Sequence, residues 1–233
     1  MTYVLHIANK NYSSWSLRPW VLMTTVGIPF EEKLHRFPTD GSSSYPEFRK
    51  FSPTGYVPVL EDTDENERVW DSLSIAGYLA EAHPDVWPAD RHARTWARSA
   101  ASEMHSSFFA LRNQCGMNVG IRSRRPPIDA ALKRDLDRLD ALWGDGLARF
   151  GGPFLAGDRF SAVDAFFCPV AFRVQSYDLP LAQASLDYVQ RLLDLPAMRD
   201  WYAAGIAEDF REPGHDAETA GAHELIADYR ARA

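Results

Sequence analysis

The sequence predicts a small α/β domain followed by an all-helical domain. Within residues 1–83, short apolar runs alternate with amphipathic segments in the order β-α-β-α-β-β-α. Beyond a stretch with two prolines at 84–90, apolar residues recur at three- to four-residue spacing, which is typical of packed helices. The length of 233 residues fits one large domain or two small ones. We predict an α/β domain at 1–83, a linker at 84–90 and a helical domain at 91–233.

Four short apolar runs predict the strands of the first domain. They lie at 3–8, 30–37, 57–61 and 68–70. Pro58 in the third run is expected only at the start or edge of a strand, because it cannot donate to a strand ladder. The last two runs are close in sequence and predict a hairpin.

Capping signals predict the helices between these strands. The hydroxyl cluster at 13–16 precedes apolar residues at helical spacing, so it is placed at a helix N-terminus. Ser44 and Glu47 have the spacing of a capping box, which predicts a short helix. Ser72 is the predicted N-cap of a helix at 73–82.

The second half carries clear start and stop signals for helices. One long amphipathic helix is predicted over 128–150, where Gly-Gly-Pro at 151–153 ends it. Ser161 and Asp164 have the form of a capping box before the most apolar helix of the chain. We assign this pair to folding and not to chemistry. From residue 207 onward, the acidic and alanine-rich composition predicts a peripheral tail.

Charge and apolar patterning exclude several classes of function. The net charge of −7, from 25 basic and 32 acidic residues, argues against nucleic-acid binding. The densest basic cluster, Arg122, Arg124 and Arg125, is interpreted as a solvated turn. No apolar run approaches the ~20 residues that span a membrane, and the first residues are too polar for a secretory signal. We therefore expect a cytoplasmic protein that does not enter membranes.

The two cysteines predict neither a disulfide framework nor a metal site. Cys115 and Cys168 are far apart, and no Cys/His cluster has metal-ligand spacing. Cys168 lies in an apolar run and is predicted to be a buried thiol, whereas Cys115 could be exposed. We expect no bound metal.

Four segments together resemble the glutathione S-transferase family, in order and at the family's spacing over about 165 residues. The resemblance implies an N-terminal thioredoxin-like domain followed by an all-helical bundle domain, with glutathione as co-substrate. It also implies a homodimer and a role in detoxification. The four segments are Tyr-Ser-Ser-Trp-Ser-Leu-Arg at 12–18, Pro-Thr-Gly-Tyr-Val-Pro-Val-Leu at 53–60, Asp-Ser at 71–72 with the helix after it, and Gly-Asp-x-x-Ser-x-x-Asp at 157–164.

The resemblance implies that Ser13 is the catalytic hydroxyl, with Ser14 as the nearest rival and Tyr12 as a further donor. A free thiol has a pKa near 8.5, so an enzyme that uses glutathione must favour its ionisation. A hydroxyl donor and a helix N-terminus both stabilise an anionic sulfur. The alternative is that the serines only cap the helix, as Ser14 or Ser16 could do.

The resemblance also assigns residues to the peptide part of glutathione. The backbone of Val57 would pair with the cysteinyl residue, and Pro58 would follow a cis peptide bond. Asp71 and Ser72 would hold the γ-glutamyl end, where a helix start favours a carboxylate. The alternatives are an ordinary proline at a strand start and a plain N-cap.

The electrophile pocket is expected between the two domains. Candidate wall residues come from the start of the first helix and from the first long helix of the second domain. Arg18 could face the site, but a structural role is favoured. The candidates are Tyr12, Trp15, His105, Phe108, Phe109, Arg112 and Asn113.

Within the family, the serine motif resembles that of the zeta class, which includes maleylacetoacetate isomerases. Trp15 stands where that class has cysteine, which argues against the isomerase reaction. The absence of cysteine from residues 1–83 disfavours classes that form mixed disulfides with glutathione. The leading prediction is thiolate transfer to a small electrophile. The alternatives are glutathione-dependent isomerisation and a non-catalytic binding module.

Overall fold

A computed structural model describes residues 2–220 and 224–230. Its first part contains a mixed four-stranded sheet with the strand order β2-β1-β3-β4. Strand β1 runs parallel to β2 and antiparallel to β3, and β3 and β4 form the predicted hairpin. The strands are β1 (Tyr3–Ala8), β2 (Phe30–His35), β3 (Val59–Asp62) and β4 (Glu67–Val69).

Three helices accompany the sheet, and the rest of the described chain is mainly helical, as predicted. The helices of the first part are α1 (Ser14–Val26), α2 (Tyr45–Phe48) and α3 (Ser72–Ala82). Those of the second part are α4 (Arg91–Ser106), α5 (Phe109–Gln114), α6 (Ala130–Phe150), α7 (Ala162–Tyr177), α8 (Gln183–Leu193), α9 (Pro196–Ile206) and α10 (Pro213–Ala220).

Helix α7 forms the centre of the molecule. It packs against α1, α4 and α8, and every residue of it except Gln175 is buried. A helix that is apolar on all sides can be stable in water only when neighbours surround it. The predicted capping box is present at its start, where Asp164 accepts the backbone N–H of Ser161. This helix joins the two parts of the chain in one core.

Two predicted caps are wrong in detail. The capping box before α2 does not form, because Ser44 has a helical backbone conformation (φ −69°, ψ −14°) instead of the extended one that capping requires. The N-cap of α3 is Asp71 and not Ser72. The Asp71 carboxylate accepts the backbone N–H groups of Leu73 and Ser74, and Ser72 is the first helical residue.

The peptide bond between Val57 and Pro58 is cis in the structure, in agreement with the resemblance. The strand predicted over 57–61 begins at Val59, since Pro58 has no N–H to donate to the ladder.

The C-terminal segment is not peripheral, which corrects the sequence interpretation. It contains helix α10 and strand β6 (Leu225–Asp228), which pairs antiparallel with strand β5 (Ile121–Ser123). These strands are three and four residues long, too short to leave a periodic pattern in the sequence. The acidic composition of the segment therefore gave no sign that it folds back on the molecule.

The same ribbon corrects part of the interpretation of the basic cluster as a solvated turn, because one of its members lies in a strand, while Arg124 and Arg125 are exposed. Arg122 lies in β5, Arg124 pairs with Glu224 at 2.6 Å, and Arg125 pairs with Asp178 at 2.5 Å.

Both cysteines are buried and free. For Cys168 this agrees with the prediction, whereas Cys115 is not exposed, because it follows α5 directly into the core. Burial raises the pKa of Cys115 to about 12, which makes it a poor nucleophile.

Within residues 2–220 and 224–230, no helix is long and apolar enough to cross a membrane. These residues also contain no cluster of three or more His, Cys, Asp or Glu side chains able to hold a metal ion.

Candidate active site

A cavity of about 320 Å³ opens at the start of α1, between the two parts of the chain. Ser13 lies in the loop after β1, and Val57 lies in the segment before β3. Both line the cavity. Helices α5 and α7 contribute Arg112 and Arg173, and α10 closes the remaining side. A larger cavity, about 830 Å³, lies between the segment after α3 and helices α4 and α6. None of the residues predicted for glutathione chemistry lines this second cavity.

Ser13 and Ser14 both line the smaller cavity, but their hydroxyls have different surroundings. Ser13 is buried at the N-cap position of α1, and its hydroxyl donates to the Ser16 hydroxyl oxygen at 2.7 Å. Ser16 in turn accepts the backbone N–H of Ala8 at 3.1 Å. Ser14 is half-buried, and its hydroxyl has no partner in the described part of the chain.

In the described part of the chain, neither serine hydroxyl accepts a capping hydrogen bond from the first turn of α1. The first turn of α1 contains no acidic residue that would neutralise the positive end of its dipole. An anion in the cavity would meet both the hydroxyls and this helix end.

The hydroxyl of Tyr12 is engaged by the C-terminal segment. It donates to Asp216 at 2.9 Å and accepts from the backbone N–H of Glu212 at 3.2 Å and from Arg230 at 2.9 Å. Burial raises the pKa of Tyr12 to about 12. The ring lines the cavity, while the hydroxyl holds the segment in place.

Two arginines contact the Trp15 ring and a third, Arg173, lies near both of them; none of the three has a carboxylate partner in the described part of the chain. The guanidinium carbons of Arg18 and Arg112 lie 4.1 Å and 4.8 Å from the Trp15 ring centre. Both are cation–π contacts. Arg18 is 2% exposed and Arg173 is 6% exposed. Burial lowers the pKa of Arg18 well below its usual range and that of Arg173 to about 10, and the neighbouring arginines add to both shifts.

Arg112 and Arg173 line the cavity, whereas Arg18 does not. Arg18 packs between Trp15 and Phe166, which fits the structural role favoured for it. Arg112 and Arg173 use part of their N–H groups on backbone carbonyls, Arg173 on Cys115 at 2.8 Å and Arg112 on His105 at 3.1 Å. The cavity therefore has a positive wall.

The residues expected to hold the peptide part of glutathione contain open hydrogen-bonding groups. The backbone N–H and C=O of Val57 have no partner in residues 2–220 and 224–230. Ser72 is 1% exposed, and its hydroxyl is likewise unpartnered there. A buried hydroxyl without a partner is costly and suggests a ligand or a water. Asp71 is occupied by the α3 cap and by His105, whose Nε2 lies 3.2 Å from its carboxylate.

Several predicted wall residues do not line the cavity. Phe109 and Asn113 lie on the outer face of α5 and are exposed, and Phe108 is buried in the core. His105 makes an edge contact with Trp15 at 5.3 Å between ring centres, behind the cavity wall.

Sequence reasoning missed Arg173, His215 and Glu218, which line the cavity. Arg173 is the one basic residue inside the mostly apolar α7, and that irregularity was the available signal. His215 and Glu218 lie in the segment interpreted as a tail, where no local pattern indicated a site.

Comparison with family models identifies the class of protein that has this two-part fold. The model of the glutathione S-transferase N-terminal domain matches residues 12–82, and that of the C-terminal domain matches residues 91–204. The chain therefore belongs to the glutathione S-transferase family and is a glutathione transferase by class.

Relatives in the family include plant and bacterial proteins. A zeta-class glutathione S-transferase of Euphorbia esula is 29% identical over 164 residues, which cover 67% of this chain and 70% of the relative. Glutathione S-transferase GstB of Escherichia coli (strain K12) is 26% identical over 210 residues, 82% and 93% of the two chains. A solved glutathione transferase homologue from Burkholderia gl BGR1, with bound glutathione, has a TM-score of 0.65 at 21% identity and covers 88% of this chain and 98% of its own. That structure shares the fold.

Proposed function

We propose that the protein binds glutathione in the cavity at the start of α1, ionises its thiol and transfers the sulfur to a small electrophile. The observation that carries this proposal is the joint lining of one cavity by serine hydroxyls, a helix N-terminus and two arginines without carboxylate partners among the described residues. Each of these groups stabilises an anion, and together they favour thiolate over thiol.

The open polar groups of the chain match the remaining parts of glutathione. The unpaired Val57 backbone can bind the cysteinyl residue as an added strand would. The buried Ser72 hydroxyl, at the start of α3, suits the γ-glutamyl carboxylate. Asp71 lies beside it and can contact the ammonium group, although it also caps α3.

Isomerisation remains the second candidate, because the same thiolate could add to a substrate and leave again. Similarity to a zeta-class relative supports it, and the tryptophan at position 15 argues against it. The homodimer, the cytoplasmic location, the detoxification role and the boundaries 1–83, 84–90 and 91–233 are part of the proposal. The limits of the family models at residues 82 and 91 support those boundaries.

Ser13→Ala is expected to abolish most of the thiolate absorbance of bound glutathione near neutral pH. The Ser13 oxygen is buried and held by Ser16, which is itself held by the Ala8 backbone, so the donor is preorganised for an anion. A hydroxyl proton rotates freely, and Ser13 can turn its O–H toward sulfur while Ser16 donates to it. Losing one such donor lowers turnover by about 10²-fold or more.

The measurement is an ultraviolet titration with reduced glutathione at several pH values, alongside turnover of an electrophile. Ser14→Ala is the matched control, because it removes a neighbouring hydroxyl that no described residue holds in place, and it should retain most of the band. Glutathione binding without any thiolate band in the unaltered protein would instead favour a non-catalytic binding module.

Arg112→Gln is expected to reduce kcat/KM more for an anionic electrophile than for a neutral one. A cationic wall favours a substrate that carries a carboxylate, and a charge-assisted hydrogen bond contributes about 1.5–3 kcal/mol, or roughly 10- to 150-fold. Chlorodinitrobenzene and chlorodinitrobenzoate form a suitable pair, with rates corrected for the uncatalysed reaction. Arg98→Gln, which removes an exposed arginine outside this cavity, is the control. Equal losses for both electrophiles would show that Arg112 does not contact the substrate's charge.

A further inference from the structure

We propose that His215, in the C-terminal segment, accepts the proton of the glutathione thiol. This inference rests on the proposed function, because it concerns the same thiol. His215 lines the same cavity as Ser13 and Ser14, although about 200 residues separate them in sequence. It reaches the cavity because α10 folds across the start of α1.

The thiol proton needs an acceptor that the other cavity groups do not provide. Serine hydroxyls and arginine guanidinium groups stabilise the thiolate as donors, and neither is a base at neutral pH. The Tyr12 hydroxyl keeps its proton and donates a hydrogen bond to Asp216. Of the described residues that line the cavity, only His215 and Glu218 have side chains that can accept a proton from the thiol. Imidazole is a stronger base than carboxylate, so His215 is the better acceptor.

Glu212 fixes the tautomer that an acceptor requires. Its carboxylate lies 2.6 Å from Nδ1 of His215 and also accepts the backbone N–H groups of Gly214 at 3.0 Å and His215 at 2.6 Å. Although burial opposes it, these hydrogen bonds lower the pKa of Glu212, so the carboxylate stays ionised. The ring then keeps its proton on Nδ1 and presents the lone pair of Nε2. A carboxylate behind the ring also stabilises the imidazolium that forms.

Two aromatic rings hold His215 at the cavity wall. Its ring centre lies 5.1 Å from that of Tyr12, at an interplanar angle of 23°, and 4.9 Å from that of Phe37, at 30°. The charged and titratable groups around it are those of Tyr12, Glu212, Asp216, Glu218 and Arg230. Within this set, Arg230 is held by its own carboxylate partners, Asp216 and Asp228.

The proposed step conserves atoms and charge. The S–H bond of glutathione breaks, its electron pair stays on sulfur, and the proton bonds to Nε2 of His215. The products are a thiolate and an imidazolium, which attract each other across the cavity. After sulfur has bonded to the electrophile, the proton leaves His215 for solvent or for the departing group.

A count of released protons tests this step. Reduced glutathione is titrated into the full-length protein at weak buffering, and an indicator dye reports protons released while ultraviolet absorbance reports thiolate formed. If His215 keeps the proton, the unaltered protein releases clearly less than one proton per thiolate. In His215→Gln, the release rises to about one proton per thiolate, because the remaining acceptor in the described lining, the Glu218 carboxylate, is too weak a base to hold the proton near neutral pH.

Two further variants keep the result decisive. Glu212→Gln leaves the His215 ring in place but removes the carboxylate that stabilises the imidazolium. Proton release per thiolate should therefore rise in this variant as well. It decides the question if His215→Gln fails to fold or to bind glutathione. His92→Gln, which removes an exposed histidine outside the cavity, should behave as the unaltered protein.

The outcomes separate this inference from the proposed function. One proton released per thiolate in the unaltered protein, with no change in the variants, overturns the role of His215 and leaves thiolate formation intact. No thiolate in the unaltered protein overturns the proposed function itself.

Discussion

Asp164→Ala is expected to lower the free energy of unfolding by about 3–5 kcal/mol, among the largest losses that one substitution produces. The Asp164 carboxylate is fully buried and accepts the backbone N–H groups of Leu155 and Ser161, each at 3.0 Å. It also accepts the Tyr188 hydroxyl at 2.9 Å. The substitution leaves three buried donors unsatisfied, each costing about 1–3 kcal/mol before the structure relaxes.

Denaturant unfolding of Asp164→Ala and of a matched cap variant measures this effect. Asp90→Ala is the control, because Asp90 caps α4 through the backbone N–H of Ala93 at 2.8 Å. Loss of an ordinary cap costs about 1 kcal/mol. If both substitutions cost the same, the Asp164 carboxylate contributes no more than a cap, and its bonds to Leu155 and Tyr188 add little to stability.

The parts of the fold that the sequence predicted depend on strong local patterns. Ser161 and Asp164 predicted the start of α7, because a capping box is followed directly by an apolar run. The structure contains both features. Near α2 and α3, the type of cap was predicted from residue identity alone. There the backbone conformation of Ser44 and the competing carboxylate of Asp71 decided the outcome, and neither is visible in a linear sequence.

In the candidate site, too, the residues with a local sequence signal were predicted and the others were not. Ser13, Ser14, Trp15, Val57 and Arg112 were found through short motifs and helix position, and the structure brings them to one cavity. Residues that reach the cavity through long-range folding had no motif to indicate them. For His215 and Glu218, the decisive contacts join Tyr12 to a segment some 200 residues later, and such contacts leave no periodicity.

Position on a helix also does not settle which way a side chain faces. Phe109 and Asn113 lie on the same short helix as Arg112 but are exposed. Phe108, at the N-cap position of α5, has a left-handed backbone (φ 61°), and this turn changes the direction of the chain between α4 and α5. A single helix from α4 through α5, which the assignment of these candidates to the first long helix of the second domain implied, would have given those side chains other directions.

Arg230→Met is expected to loosen the C-terminal segment without unfolding the rest of the protein. Arg230 is 7% exposed at its side chain, pairs with Asp216 and Asp228 and donates to the Tyr12 hydroxyl at 2.9 Å. Methionine preserves much of the volume but leaves the two carboxylates without their shared cation. Breaking a fully buried pair costs about 3–5 kcal/mol, and the partial exposure of both aspartates reduces our expectation to about 2–3 kcal/mol.

Amide hydrogen exchange in β6 measures this loosening. An opening free energy lower by that amount accelerates exchange by roughly 30- to 150-fold, while the core helix α7 keeps its protection. Arg124→Met is the control, since it breaks the Arg124–Glu224 pair in the same ribbon, where both side chains are mostly exposed and the expected loss is below about 1 kcal/mol. Because α10 carries His215 and closes the cavity, faster opening should also weaken glutathione binding. If Arg230→Met exchanges no faster than Arg124→Met, the buried network does not fasten the segment, and the closed cavity must depend on the packing of α10 and on the β5–β6 pairing.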